Sequence, residues 1–305
     1  MSRTFINWFS LEEEVILIPE FLKTDIYGFK FLTNFHNLTK KKKHFKIDFT
    51  KCQWIEANLC AILGASIHVN TLVGAKFTIV NLELKPYIKS TFLNNGFLEF
   101  IRNEKTRKNE HSGVPFAKYD MKNEKEFEDY IYKYILSTQN IPKMSEGAKK
   151  KIFRSIFELY QNSVMHSGAD QIYVCGQYFF RKGRLALTMV EFGNTFKSNV
   201  QGYKLNFSLY TGAECIEWAV ESGNTTKKIN NAGGLGLDLI RDFLNMNQGK
   251  LQINSADGYW EEKKGVKFVR ECDFNFPGSI VNIEFNLRDL NNYIAKEEFN
   301  ISDIL

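Results

Sequence analysis

Apolar and polar residues alternate over Phe45–Phe49 (F-K-I-D-F), the period of a strand with one buried face. From Trp54 to Ile67 the period changes. Ile55, Leu59, Ile62, Leu63 and Ile67 recur at helical spacing, which predicts a helix. A β-rich run, Ala75–Leu82, follows. Pro86 then suits the first turn of a helix, and Asn95-Gly96 suits its end. Strand–helix–strand–helix order implies an α/β unit with some parallel pairing. Residues 103–125 are polar and charged, carry Gly113 and Pro115, and read as a connector. Beyond them the pattern predicts a helix over Glu126–Leu136, an interruption at Pro142 and a long helix from Ser145. A strand is expected over Leu185–Val190. Ile216, Ala219 and Val220 suggest a short amphipathic helix that Gly223 stops. The reading divides the chain into residues 1–124 and 125–305, both mixed α/β (α+β).

The long helix carries the most chemistry. Glu158, Asn162 and His166 stand four residues apart and so share one face. Phe153, Phe157, Tyr160 and Val164 project to the other side, giving an apolar back. By periodicity alone this is a surface helix with a polar stripe. An amide oxygen is a hard ligand suited to Mg²⁺, and a carboxylate one turn earlier can orient and deprotonate a water.

Three downstream segments set that stripe in a wider pattern. E-L-Y-Q-N resembles the E-x-x-x-N box of the gyrase, Hsp90, histidine-kinase and MutL (GHKL) superfamily of ATP-binding domains. E-F-G-N-T, after the Leu185–Val190 strand, resembles its D-x-G-x-G box, with Glu191 at the aspartate position, Gly193 matching and Thr195 replacing the second glycine. N-N-A-G-G-L-G-L-D-L resembles the glycine-rich box that closes over the phosphates. There Gly233, Gly234 and Gly236 match, Leu235 and Leu237 alternate with them, and Ala232 takes the leading glycine. The helix that follows would aim its N-terminal N–H groups at phosphate oxygens. G-S-I-V-N-I-E-F resembles the family's closing strand, with Ser279 for its threonine.

The resemblance implies a Bergerat-type α/β sandwich with an ATP lid, binding ATP and Mg²⁺. It makes Asn162 the metal ligand, Glu158 the candidate base, His166 a neighbour of the phosphates and Glu191 the reader of the adenine amino group. Asn224–Asn231 takes the place of the mobile lid, where Lys227 or Lys228 could reach a γ-phosphate. Around that segment the chain is most similar to stand-alone bacterial ATP-binding proteins with an I-x-W-A helix and a G-x-T-T-K loop.

In the first half, I-D-F-T-K-C-Q-W-I-E-A-N-L resembles the STAS (anti-sigma-antagonist) pattern. Asp48 matches its strand-end aspartate and Trp54-Ile55 its apolar pair. Phosphorylated STAS domains carry an acceptor serine after the loop, where this chain has Glu56-Ala57-Asn58. The resemblance therefore implies a docking or regulatory module with a protein partner.

Composition narrows the picture only a little. The chain has 305 residues, 44% hydrophobic and 14% aromatic, enough for one large domain or two ordinary ones. A net charge of +5 is mild, and Lys40–Lys43 reads first as a solvated loop, so nucleic acid is not indicated. The five cysteines show no C-x-x-C spacing, which points to reduced thiols in a cytoplasmic, soluble protein. No apolar run approaches the roughly eighteen residues a spanning helix needs, so no membrane partner is expected.

These readings imply a Mg²⁺-dependent ATP-binding switch, a slow ATPase whose lid and first domain respond to nucleotide. Two alternatives stay open: a serine/threonine protein kinase of the anti-sigma-factor type, and a non-hydrolysing, nucleotide-bound scaffold. A histidine kinase would need a phosphoacceptor on a helix hairpin, and His36, His44, His68 and His111 lack that context. A homodimer is left open, and bacterial regulation or phage defence would suit the layout.

Overall fold

The computed structural model describes residues 13–102, 113–137, 145–203, 205–224, 226 and 236–289. Its described residues form a mixed α/β structure with a three-stranded and a short two-stranded parallel sheet and a five-stranded antiparallel sheet, packed with helices.

The first half runs β1 (Glu13–Leu17), β2 (Phe21–Leu22), α1 (Ile26–Leu38), β3 (His44–Asp48), β4 (Trp54–Ile55), α2 (Cys60–Leu72) and β5 (Lys76–Val80), then α3 (Pro86–Asn94) and α4 (Phe97–Arg102). Strands β1, β3 and β5 pair in parallel in that order, as βαβ connections require. The β3 strand and the Pro86 helix fall where the pattern puts them, with proline in the first turn. The Trp54–Ile67 stretch differs from its reading. Its start is a two-residue strand and a 3₁₀ turn, and the α-helix begins at Cys60. Every residue from Cys60 to Ile67 is buried. A helix apolar all round must be covered on all sides, and α2 lies between β5 and strands of the second sheet.

The second half runs β6 (Val114–Asp120), α5 (Glu124–Ile131), α6 (Glu146–His166), β7 (Gln171–Phe179), β8 (Arg184–Phe192), α7 (Phe196–Tyr203), α8 (Gly212–Val220), α9 (Gly236–Met246), β9 (Lys250–Lys263) and β10 (Val266–Asn286). The strands form one antiparallel sheet in the order β6-β7-β8-β10-β9. The stretch read as a connector thus contains an edge strand. Pro115 hides it in the sequence, yet an edge position at a register break tolerates the missing N–H. Val114 and Phe116 are buried, so the chain joins the second sheet before Lys125. The Glu126–Leu136 stretch is helical but loosens into a π-helical turn over Tyr132–Leu136.

The five-stranded sheet is buried on both faces. Leu185, Leu187 and Met189 of β8 face one core with Ile152, Ile156 and Tyr160 of α6 and Ile240 of α9. Val190, Tyr173, Ile280 and Phe276 face a second core with Phe29 of α1 and Ile62 of α2. The apolar back of α6 therefore centres on Ile152, Ile156 and Tyr160, while Phe153 and Phe157 are only half-buried.

A polar row crosses the second face. Asn282 pairs in register with Thr188 on one side and Gln252 on the other. Asn58 Nδ2 donates to Thr24 Oγ1 (2.8 Å), Thr188 Oγ1 (2.9 Å) and Asn282 Oδ1 (3.3 Å). Gln252 Oε1 accepts from Asn282 (2.8 Å) and Gln252 Nε2 donates to Tyr259 (2.8 Å). Beside them, Arg184 bridges Glu56 and Glu284, and Lys250 sits 2.9 Å from Glu284. Glu56 and Asn58 are thus occupied by the chain's own second sheet.

Candidate functional site

Helix α6 starts where Ser145 accepts a hydrogen bond from the Ala148 N–H, with Glu146 in the first turn complementing the helix dipole. Twenty-one residues later it ends at His166. Its C-terminal half forms one wall of a cleft through Leu159, Asn162, Ser163 and His166. The opposite walls are Glu191 and Asn194 at the end of β8, Phe196, Asn199 and Val200 on α7, and Trp218 and Ala219 on α8. Ser279 and Val281 of β10 form the floor, and Asn224, Thr226 and Leu237 complete the rim. About 810 Å³ of open space lies within, solvent at its mouth included.

Glu191 is the most unusual group here. It is 3% exposed, directly opposite Ser279 on β10. Burial pushes its carboxyl up to about 8, against the pull of hydrogen bonds from Ser279. Its Oε2 is buried and has no hydrogen-bond partner among the described residues. Gly193 is required close by, because a Cβ there would run into the Ser167 carbonyl and lie 3.2 Å from Glu191 Oε2. The Asn194 N–H donates to that same Ser167 carbonyl (2.5 Å), which locks the turn. Ser279 in turn lies 3.3 Å from Ser255 of β9, whose hydroxyl donates to the Gly278 carbonyl (2.6 Å).

Thr195 has a different job from the one its position implies. It caps α7: its Oγ1 accepts from the Ser198 N–H (3.1 Å) and its N–H donates to Ser198 Oγ (2.9 Å). It is half-buried and is not among the residues lining the cleft. Thr195 thus starts a helix that supplies Phe196, Asn199 and Val200 to the wall. Asn199 Nδ2 donates to the His166 carbonyl (3.2 Å), joining α7 to the end of α6.

Glu158 lies one turn before Asn162 but is not among the residues facing the cleft. It is half-buried, and its Oε1 is enclosed without a hydrogen-bond partner. Of the glycine-rich box, Gly236 opens α9 and Leu237 lines the cleft. Lys227, Lys228, Gly233, Gly234 and Leu235 lie outside the described residues.

The cleft therefore gathers Asn162, His166, Glu191, Leu237 and Ser279, with Gly193 beside them. Sequence reasoning did not assign Asn194, Phe196, Asn199 or Trp218 to it, while Asn224 was read only as the start of a lid. Phe196, Asn199 and Val200 stand at i, i+3 and i+4, a helical signal that was present but carried no chemistry by itself. Among the described residues no group of three or more His, Cys, Asp or Glu side chains converges as a metal site would, and no helix is long and apolar enough to cross a membrane. Comparison with protein-family models and with curated proteins finds no match for the chain.

Proposed function

We propose that the cleft binds a Mg²⁺-complexed adenine nucleotide and that the chain works as a nucleotide-controlled switch, hydrolysing ATP slowly. The observation that carries this reading is the convergence of Asn162, Glu191, Ser279 and Leu237 from four separate elements on one cleft. A buried, unpartnered carboxyl oxygen in that cleft also asks for a ligand donor or acceptor, since such groups are otherwise satisfied within the protein.

In this reading Asn162 holds the metal through its amide oxygen, with phosphate oxygens supplying most remaining ligands. That donor set fits a hard cation that keeps few protein ligands. The cation would supply positive charge to the phosphates. Glu191 and Ser279 orient the base on the sheet, and Trp218, Phe196 and Leu237 offer apolar surface to its ring and exclude water. His166, at the mouth of α6, lies where a phosphate oxygen can accept from its ring. Glu158 is the residue for taking a proton from water, and it must turn toward the cleft to do so. The first half, with a STAS-like character, transmits the nucleotide state, because its helices α1 and α2 cover the back of the same sheet.

Glu158 also favours a second reading. A base that does not face the cleft suits a chain that holds nucleotide without turning it over, a bound scaffold, or a kinase whose acceptor protein completes the site. Glu158→Gln separates these. The glutamine keeps the size of the side chain but cannot take a proton. Phosphate release should fall by roughly 10²–10⁴-fold while ATP binding persists. Equal phosphate release in the variant and the wild type would exclude Glu158 as the base, and label appearing on a partner protein would establish the kinase.

A further inference from the structure

We propose that Glu191 meets the ligand as a neutral carboxylic acid that reads a purine by two hydrogen bonds, donating to a ring nitrogen and accepting from the adjacent amino group. The proposal rests on the nucleotide reading of the cleft and adds to it how the base is chosen.

The geometry leaves few options for this carboxyl. It is 3% exposed, and no cation among the described residues pairs with it. Its hydrogen bonds come from the Ser279 hydroxyl and backbone of β10, with the Ser255 hydroxyl of β9 3.3 Å beyond Ser279, and Asn194 of its own turn lines the same cleft. The titratable groups on neighbouring elements are His166, across the cleft on α6, and Lys197 of α7, whose ammonium is committed to Asp257 of β9 at 2.7 Å. A carboxylate so enclosed lacks the counter-charge that would hold it ionised, so it keeps its proton through neutral pH and gives it up near 8. Oε2 is the oxygen left without a partner.

A neutral carboxyl offers one donor and one acceptor side by side. The pairing edge of adenine offers the complement, a ring nitrogen that accepts and an amino group that donates. Guanine presents two adjacent donors, which suit an ionised carboxylate with its two acceptors. While protonated, Glu191 matches adenine and mismatches guanine; once ionised, the preference reverses.

The test is titration calorimetry of the full chain with ATP, GTP and 1-deaza-ATP, whose ring nitrogen is replaced by C–H, from pH 6.5 to 9.5 in excess Mg²⁺. Adenosine repeats the series without phosphate ionisation. ATP and adenosine affinity should be level up to about pH 7.5 and about tenfold lower at pH 9, as proton linkage to a group near 8 requires. GTP should gain over the same window. At pH 7, 1-deaza-ATP should bind at least about tenfold more weakly than ATP, one lost hydrogen bond to a buried group. Glu191→Gln, whose amide offers the same donor and acceptor without titrating, should lose the alkaline decline in ATP and adenosine affinity. Adenosine affinity that is level to pH 9.5, or 1-deaza-ATP binding as tightly as ATP, overturns the neutral acid while nucleotide binding stands. Failure of all the nucleotides to bind at every pH overturns the nucleotide reading and this inference with it.

Discussion

Glu284 and Glu191 are buried to nearly the same degree on the same sheet, at 7% and 3% exposure, and their environments could hardly differ more. Glu284 faces the first half of the chain. Burial pushes its carboxyl up, but Lys250 and Arg184 outweigh burial and leave it below the usual range. Glu191 faces the cleft, where burial wins and the carboxyl rises to about 8. The polar row on the back face is tied together donor to acceptor: Asn58, Thr188, Asn282 and Gln252 chain into one another. Single atoms lack a partner among the described residues on both faces, Asn58 Oδ1 and Arg184 Nε at the back and Glu191 Oε2 in front, but of these only Glu191 borders the cleft. Buried polar groups that satisfy one another hold layers together. Buried polar groups left open on a cleft are where a ligand completes the structure.

The largest effect should come from breaking the paired side. Arg184→Met removes the cation that Glu56 and Glu284 share, leaving Glu284 with Lys250 at 2.9 Å and Glu56, among the described residues, with only Lys182 at 4.0 Å. Removing one partner of a buried ion pair costs about 3–5 kcal/mol. Urea denaturation should show a loss of that size; a loss under about 1 kcal/mol would mean the bridge is water-screened and the layers are held by apolar contact alone.

Next in size is Asn58→Leu, which removes a donor to three buried acceptors. Leaving such groups unsatisfied costs about 1–3 kcal/mol. Denaturation should register this, while calorimetry should find nucleotide affinity changed by less than about twofold. A larger change in affinity would erase the distinction between the two faces.

On the open side the sign reverses. The folded Glu191 carboxyl titrates higher than in the unfolded chain, so its contribution to stability is complete below about pH 4.5 and is lost as pH rises through about 8. Glu191→Gln has no such loss. Measured against wild type, the variant should gain stability steadily across that window, by more than about 1 kcal/mol at pH 9, and level off above it. A flat difference from pH 5 to 9 would show that the carboxyl is as well solvated as a surface one.

Much of the open side could be read from the sequence, and little of the paired side. Asn162, Glu191 and Ser279, singled out by the resemblance of their segments to nucleotide-binding boxes, line one cleft, and Gly193 packs beside Glu191. Thr195 went astray because a threonine after a strand serves equally as a wall or as a helix cap, and the choice depends on Ser198 three residues on. The strand Val114–Asp120 was hidden by Pro115, whose cost vanishes at a sheet edge. Asn58, Gln252 and Asn282 alternate with apolar neighbours, a pattern that places them on a solvent face. Only the presence of α1 and α2 over that face turns them inward, and nothing local in the sequence announces which surface a second layer will cover. The helicity of α2 was legible from Ile62, Leu63 and Ile67, whereas its burial on every side was not, because Cys60, Ala61, Gly64, Ala65 and Ser66 carry no strong hydrophobic signal.

The central claim, that the open face is a Mg²⁺-nucleotide site, is tested most directly by titrating ATP into wild type and Asn162→Ala with and without Mg²⁺. Asn162 lines the cleft from a half-buried position on α6, so truncating it should leave the fold intact. Wild type should bind ATP in a Mg²⁺-dependent manner, and Asn162→Ala should lose that dependence together with at least about tenfold in affinity, the loss of one charge-assisted ligand. Equal ATP affinity and equal Mg²⁺ dependence in the two proteins would contradict the account.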